Sequence, residues 1–240
     1  MAGTEDQNAW VIGVLGVSLG RPSLSDLQSM LDDDSVPMEQ RITACAESPE
    51  VVRAALEVLQ RASRAEPKLT ALIGAATGDC GGTMIGLEFR RKQQDSLARK
   101  IATDIVKTGL SPDEAAGGIS DAVRYTSCFG FEVYTDGVTR VLGALRSGGN
   151  RIKKLKNAWV KRGAYRGINV QLTDPEGQAF EVQFHTERSF HVKDQVTHPL
   201  YEEMRLLDPS SERWRELNEQ QLAIFAEIPL PDGVETIKDI

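Results

Sequence analysis

The sequence is poor in the residues that build metal knuckles and disulfide frameworks. It has three cysteines in 240 residues, Cys45, Cys80 and Cys128. The odd count and the spacings fit neither a disulfide scaffold nor a zinc pattern, so free buried thiols are expected. Three histidines, His185, His191 and His198, stand close together near the C-terminus. They lack the HExxH spacing of a zinc protease, and packing or hydrogen-bonding roles are expected of them, with His191 and His198 sharing the face of one helix. No apolar run approaches the roughly 18 residues that a bilayer span needs. The apolar, glycine-rich run 10–19 is preceded by Glu5 and Asp6 instead of lysine or arginine, which is wrong for a secretory leader. A core strand is expected there. The chain is read as cytoplasmic, or as an exported toxin or processed secreted enzyme, with no membrane partner.

What is present is an ordinary globular composition, 40% hydrophobic and 26% charged, enough for one large core. The net charge of −7 sits in the first 50 residues, where Arg21 and Arg41 face nine acidic residues. The other 190 residues hold 26 charges of each sign, so local patches decide binding. Residues 1–45 read as an acidic accessory segment, either regulatory or simply solvated, and 46–240 as the main domain.

Periodicity and punctuation then outline the elements. Ser23 is placed to cap a short helix through residue 30. Ser48-Pro49-Glu50 opens an amphipathic helix that must end before Gly81-Gly82. A strand is expected over 83–90, a helix from Gln94 to a stop at Gly109, and a short helix over 112–119. A central strand is expected over 121–133 and a helix over 136–146. Strands follow over 151–159 and 167–172, and the turn Asp174-Pro175-Glu176-Gly177 pairs the latter with a strand over 179–185. Helices over 187–207 and 211–227 close the chain. The expected class is α+β, a mixed, mostly antiparallel sheet flanked by helices.

Four constellations carry chemistry. Arg90 and Lys92, expected on one side of a strand end, precede Ser96 and Lys100, which lie one turn apart on a helix whose N-terminus favours anions. They read either as a polyphosphate cradle or as a solvated basic face. Asp121, opening the central strand with Arg124 three residues on, is placed to hold Mg²⁺ or to make a local cap. Seven lysines and arginines and no acid lie between Arg151 and Arg166, among them Lys154, Lys156 and Lys161. This run reaches Tyr165, set between Gly163 and Gly167, either exposed for base stacking or packed into the turn. In the strand EVQFHT, Glu181, Gln183 and His185 share one face, with Glu181 able to ligate Mg²⁺ or accept a hydroxyl proton, or simply to face solvent.

In this order the four pieces resemble the RelA/SpoT-type pyrophosphokinase domain of alarmone metabolism, over about residues 80–205. That family reads R-x-K-x3-S-x3-K, a strand beginning with Asp, a basic segment, G-Y-x-S-x-H and E-x-Q-x-R-T. The first motif is complete as Arg90, Lys92, Ser96 and Lys100. Asn169 stands where the family has His, and His185 where it has Arg, which resembles a divergent branch of secreted nucleotide 3′-pyrophosphokinases and toxin-type synthetases. The resemblance implies Mg²⁺-dependent transfer of pyrophosphate from ATP to the 3′-hydroxyl of a purine nucleotide. It gives ATP binding to Arg90, Lys92, Ser96 and Lys100, and metal and catalysis to Asp121 and Glu181. Acceptor binding falls to Lys154, Lys156, Lys161, Tyr165, Asn169 and Gln183. It implies no hydrolase activity and admits an antitoxin or regulatory partner. Two other readings stand beside it: a toxin acting on the tRNA 3′ end, and an inactive nucleotide-binding module.

Overall fold

A computed structural model describes residues 21–161, 163–204 and 207–239; the strand expected over 10–19 lies outside them. Ser23 closes a reciprocal capping box with Asp26 and starts α1 (Leu24–Leu31). A second helix not expected from the sequence, α2 (Met38–Glu47), follows Pro37 and buries only Ile42 and Cys45, too short an apolar stripe to signal itself. Pro49 at the first helical position opens α3 (Pro49–Asp79), which stops before Gly81-Gly82. Leu27, Leu31, Ile42 and Cys45 pack into the same core as Val51, Ala55, Leu69 and Ile73 of α3.

The strand expected over 83–90 is shorter. After β1 (Thr83–Ile85), Gly86 turns left-handed at φ 62° and residues 87–89 form a 3₁₀ turn. Then come α4 (Gln94–Thr108), ended by left-handed Gly109, and α5 (Pro112–Gly117). The central strand β2 runs Arg124–Phe129, so Asp121 precedes it by three residues instead of opening it. Helix α6 (Tyr134–Ser147), β3 (Arg151–Asn157), β4 (Ile168–Thr173) and β5 (Ala179–Thr186) follow as expected to within a few residues. The single helix expected over 187–207 is broken into α7 (Glu187–His191), a π turn at Val192–Val196, and α8 (His198–Met204), so His191 and His198 do not share one helix. Helix α9 (Glu212–Ala226) is capped by Ser211.

Among the described residues the strands form one mixed sheet in the order β1-β2-β5-β4-β3. Only the β2–β5 pairing is parallel. One face is apolar: Tyr125, Phe129, Val170, Leu172, Phe180, Val182 and Phe184 are buried in the core. Helices α3 and α6 cover it, and Tyr125 anchors α3 through its hydroxyl, which meets Glu66 O at 3.1 Å and Thr70 Oγ1 at 2.9 Å. Tyr134 of α6 donates to Phe184 O at 2.9 Å and accepts from Trp159 Nε1 at 2.8 Å.

Phe129 is held between two glycines. A Cβ at Gly82 or at Gly137 would meet its ring at 2.5 Å, whereas one at Gly143, on the same helix as Gly137, would meet nothing within 4 Å. Overpacking a buried ring costs about 1–3 kcal/mol, and replacing an exposed helical glycine by alanine gains about 0.5–1 kcal/mol. Gly137→Ala is therefore expected to lower the thermal midpoint and Gly143→Ala to raise it. Equal shifts in differential scanning calorimetry would contradict this packing.

Candidate active site

The opposite face of the sheet is polar because β5 alternates strictly. With Phe180, Val182 and Phe184 in the core, Glu181, Gln183 and His185 point the other way. Pairing register extends this alternation into rows. Glu181 lies opposite Gln171 on β4 and Arg124 on β2, and Gln171 lies opposite Lys154 on β3. Gln183 lies opposite Asn169 and Thr126, and Asn169 opposite Lys156. The lysines of β3 are exposed at the sheet edge, while Glu181 and Gln183 are buried at 8% and 6% exposure. A carboxylate thus sits in the middle of the face with cationic side chains on either side of it.

The motif Arg90–Lys100 joins this face through backbone. Arg124 N–H donates to Arg90 O at 2.8 Å and Lys92 N–H to Ala122 O at 3.1 Å, while Glu181 N–H donates to Val123 O at 3.0 Å on the other edge. Residues 122–124 therefore separate Arg90–Lys92 from Glu181 by two strand spacings, about 10 Å.

The side chains of this motif are placed differently from the expected strand-end pair. Past the 3₁₀ turn, Arg90 reaches α3, where its Nε meets Glu66 Oε1 at 2.5 Å. That hydrogen bond holds the Glu66 carboxyl below its usual range. Lys92 and Lys100 converge on Asp121, at 3.1 Å and 2.7 Å. Burial would raise the Asp121 pKa, but the Lys100 hydrogen bond and the two ammonium charges outweigh it and hold the carboxyl below the ordinary 3.8. Ser96 is exposed in the first turn of α4, whose N-cap residue Gln93 makes no side-chain capping bond.

Tyr165 is half-buried, not out on the turn. Its hydroxyl donates to Asn169 Oδ1 at 2.6 Å and also lies 2.8 Å from His185 Nε2, with the two rings edge-on at 5.3 Å. Because the phenol has one proton and gives it to Asn169, His185 donates from Nε2, and its Nδ1 lies 3.0 Å from Ser189 Oγ, which also meets Thr186 O at 3.2 Å. Gly167 makes room for this contact: a Cβ there would meet His185 Cε1 at 2.8 Å. Lys161 pairs with Asp239 on the C-terminal segment, whose other carboxylate oxygen accepts from Asn157 N–H at 2.7 Å, next to Lys156.

Gln183 is committed at both ends, its Nε2 donating to Glu181 Oε1 at 2.7 Å and its Oε1 accepting from Lys193 Nζ at 3.2 Å. Its amide is thus engaged within the protein instead of free for an acceptor. Lys193 is the residue that sequence reading misses: a continuous helix gives no reason to aim it at the sheet, and only the π turn does so. A cavity of about 680 Å³ between α1, α4 and α5 contains none of these residues. Its arginine, Arg41, is already bonded to Leu31 O and Asp34.

Among the described residues no three His, Cys, Asp or Glu side chains cluster to form a protein-only metal cage. Mg²⁺ needs less, since it binds through one or two carboxylates with substrate phosphates and water completing its shell. Glu181 Oε2 accepts no hydrogen bond from the described residues, whereas both oxygens of Asp121 face ammonium groups. An oxygen donor of this kind at Glu181 would suit Mg²⁺, whereas Asp121 is engaged by its two lysines.

Burial pushes His185 from the ordinary 6.5 down to about 3. The unfolded chain takes up a proton below pH 6.5 that the folded chain refuses. This stability is full above pH 6.5 and falls as pH drops toward 3, with a limiting slope of about 1.4 kcal/mol per pH unit. Between pH 6.5 and about 4.5, urea midpoints are expected to fall more steeply for the unmodified chain than for His185→Gln; parallel slopes would show that His185 protonates freely in the fold.

No family model and no curated protein matches the sequence. Solved structures do. The Type VI effector Tas1, in complex with its immunity protein, matches with a TM-score of 0.50 at 19% identity, covering 72% of this chain and 95% of that one. Small alarmone synthetase 2 from Bacillus subtilis matches with a TM-score of 0.47 at 17% identity, over 71% and 90% of the two chains. Small alarmone synthetase 1 from the same organism, bound to its product pppGpp, matches with a TM-score of 0.42 at 13% identity, over 70% and 86%. The mixed sheet and its flanking helices thus form the fold also found in the effector Tas1.

Proposed function

We propose that this chain transfers the β,γ-pyrophosphate of ATP to the 3′-hydroxyl of a purine nucleotide. The observation that carries the reading is the position of Glu181. It is a buried carboxylate on a polar sheet face, two strand spacings from the Arg90–Lys100 motif and in one row with Arg124 and Lys154. The likeness of fold to a Type VI effector and the ordered motifs support the same reading.

In this reading Lys92, Lys100 and Ser96 hold the ATP phosphates, and Arg90, steadied by Glu66, lies against the adenine. Lys154, Lys156 and Lys161 meet the acceptor phosphates. Tyr165, braced by His185 and Asn169, presents its ring to the acceptor base. Glu181 takes the proton of the 3′-hydroxyl as that oxygen bonds to the β-phosphorus of ATP. The bond from the β-phosphorus to the bridging oxygen of the α-phosphate breaks, and AMP leaves with that oxygen. Glu181 and Asp121 would hold Mg²⁺, which would supply neutralising charge to the phosphates. Most of the acceleration in such chemistry comes from positioning and charge stabilisation.

Glu181→Gln keeps the shape and removes the base. The expected loss in kcat is about 10²–10⁴-fold with an unchanged thermal midpoint, followed as AMP release from ATP with GDP or GTP as acceptor. A variant as fast as the unmodified chain would remove Glu181 from the reaction.

A second acceptor is favoured by one observation: Arg151, Lys153, Lys154 and Lys156 are all exposed along the edge strand, more cation than one nucleotide requires. A tRNA 3′ end would use them. If it does, the slope of log K against log salt should fall in magnitude by about 0.7 for each phosphate contact removed by Lys154→Ala or Lys156→Ala. An unchanged slope leaves the free nucleotide as the acceptor. A protein partner of the immunity type, as found with Tas1, belongs to the same proposal.

A further inference from the structure

Five residues after β5, helical geometry changes. Val192–Val196 form a π turn closed by Thr197 N–H to Val192 O at 2.9 Å, with the Thr197 hydroxyl also donating to Val192 O at 3.1 Å. A π turn inserts a residue into the helical repeat, re-aims the side chains it carries, and recurs at functional sites. The side chain re-aimed is Lys193. Its Nζ lies 5.5 Å from the Phe190 ring centroid and returns to the sheet to donate to Gln183 Oε1 at 3.2 Å. Gln183 Nε2 then donates to Glu181 Oε1 at 2.7 Å.

Chemistry dictates the direction of this chain. An ammonium only donates and a carboxylate only accepts, so an amide between them has one orientation that satisfies both. Take the ammonium away and the amide oxygen loses its donor, so the amide is held at one end only and the hydrogen bond that orients the Glu181 carboxylate is loosened. Lys193 is itself held in place at some electrostatic cost, since burial and the nearby Arg124 both disfavour its charge. The arrangement commits Oε1 of Glu181 to Gln183 and leaves Oε2 without a hydrogen bond from the described residues.

We propose that Lys193 is a positioning residue: acting through Gln183, it fixes the carboxylate of Glu181 in the orientation that presents Oε2 to the acceptor hydroxyl. This rests on the transfer reaction proposed above for its consequence, but its geometry can be tested apart from it.

The test is a set of variants in the full chain, Lys193→Met, Lys193→Arg, Gln183→Leu and the double variant Lys193→Met with Gln183→Leu. In ¹⁵N spectra the Gln183 side-chain amide, located by its disappearance in Gln183→Leu, is expected to exchange slowly with water in the unmodified chain and in Lys193→Arg, and faster in Lys193→Met. In kinetics Lys193→Met should lose about 10–100-fold in kcat with KM for ATP and acceptor unchanged. Lys193→Arg should recover most of the loss. In the Gln183→Leu background the Lys193→Met loss should vanish, because the two residues act as one unit. Amide exchange that ignores Lys193, a loss that persists undiminished in that background, or a loss confined to acceptor KM would each overturn the proposal. An unmodified chain that transfers no pyrophosphate would overturn the functional reading, while the amide exchange would still decide the positioning.

Discussion

Everything in this molecule depends on the two-residue alternation of β5. Phe180, Val182 and Phe184 are fully buried on one side, and their burial decides that Glu181, Gln183 and His185 face the other. A one-residue slip would put a carboxylate and two polar groups into the core and three large apolar side chains on the active face. Hydrophobic burial and site geometry are therefore one constraint. The anchors that hold the covering helices against the apolar face, Tyr125 to α3 and Tyr134 to Phe184 O, also hold the polar face in register.

The polar face works because its charges are answered close by. Two lysines hold Asp121 ionised, Arg90 does the same for Glu66, and Gln183 links Glu181 to Lys193. His185 stays neutral, packed against Tyr165 and Phe190 and bonded at both nitrogens. Where the resembling family has an arginine at that strand position, this chain keeps a neutral ring, and the nearby cation, Lys193, comes from the following turn. The Tyr165, Asn169 and His185 trio is thus an uncharged, hydrogen-bonded group beside the charged rows of the sheet face.

Much of this was legible in the sequence, for identifiable reasons. The alternation in EVQFHT, the Asp174–Gly177 turn and the capping signals at Ser23, Ser48-Pro49 and Gly109 are local, and local signals survive folding. Three features were not legible. The turn at Gly86 shortens β1 and sends Arg90 to α3, a partner 24 residues earlier that no spacing rule identifies. The strand β2 starts at Arg124, and Asp121, three residues before it, is held by two lysines that only the fold brings near. The π turn breaks a helix whose periodicity looks continuous, so no local pattern aims Lys193 at the sheet. Each miss is a tertiary contact overriding a local pattern.

The proposed reaction is defined by which bond of ATP breaks. Incubating the unmodified chain with Mg²⁺, ATP and a purine nucleotide, and following the phosphorus spectrum of all products, tests it most directly. Pyrophosphate transfer gives AMP in equal amount to an acceptor carrying two additional phosphates on its 3′ oxygen. ADP with a singly phosphorylated acceptor, or no transfer to either free nucleotide or tRNA, would contradict it.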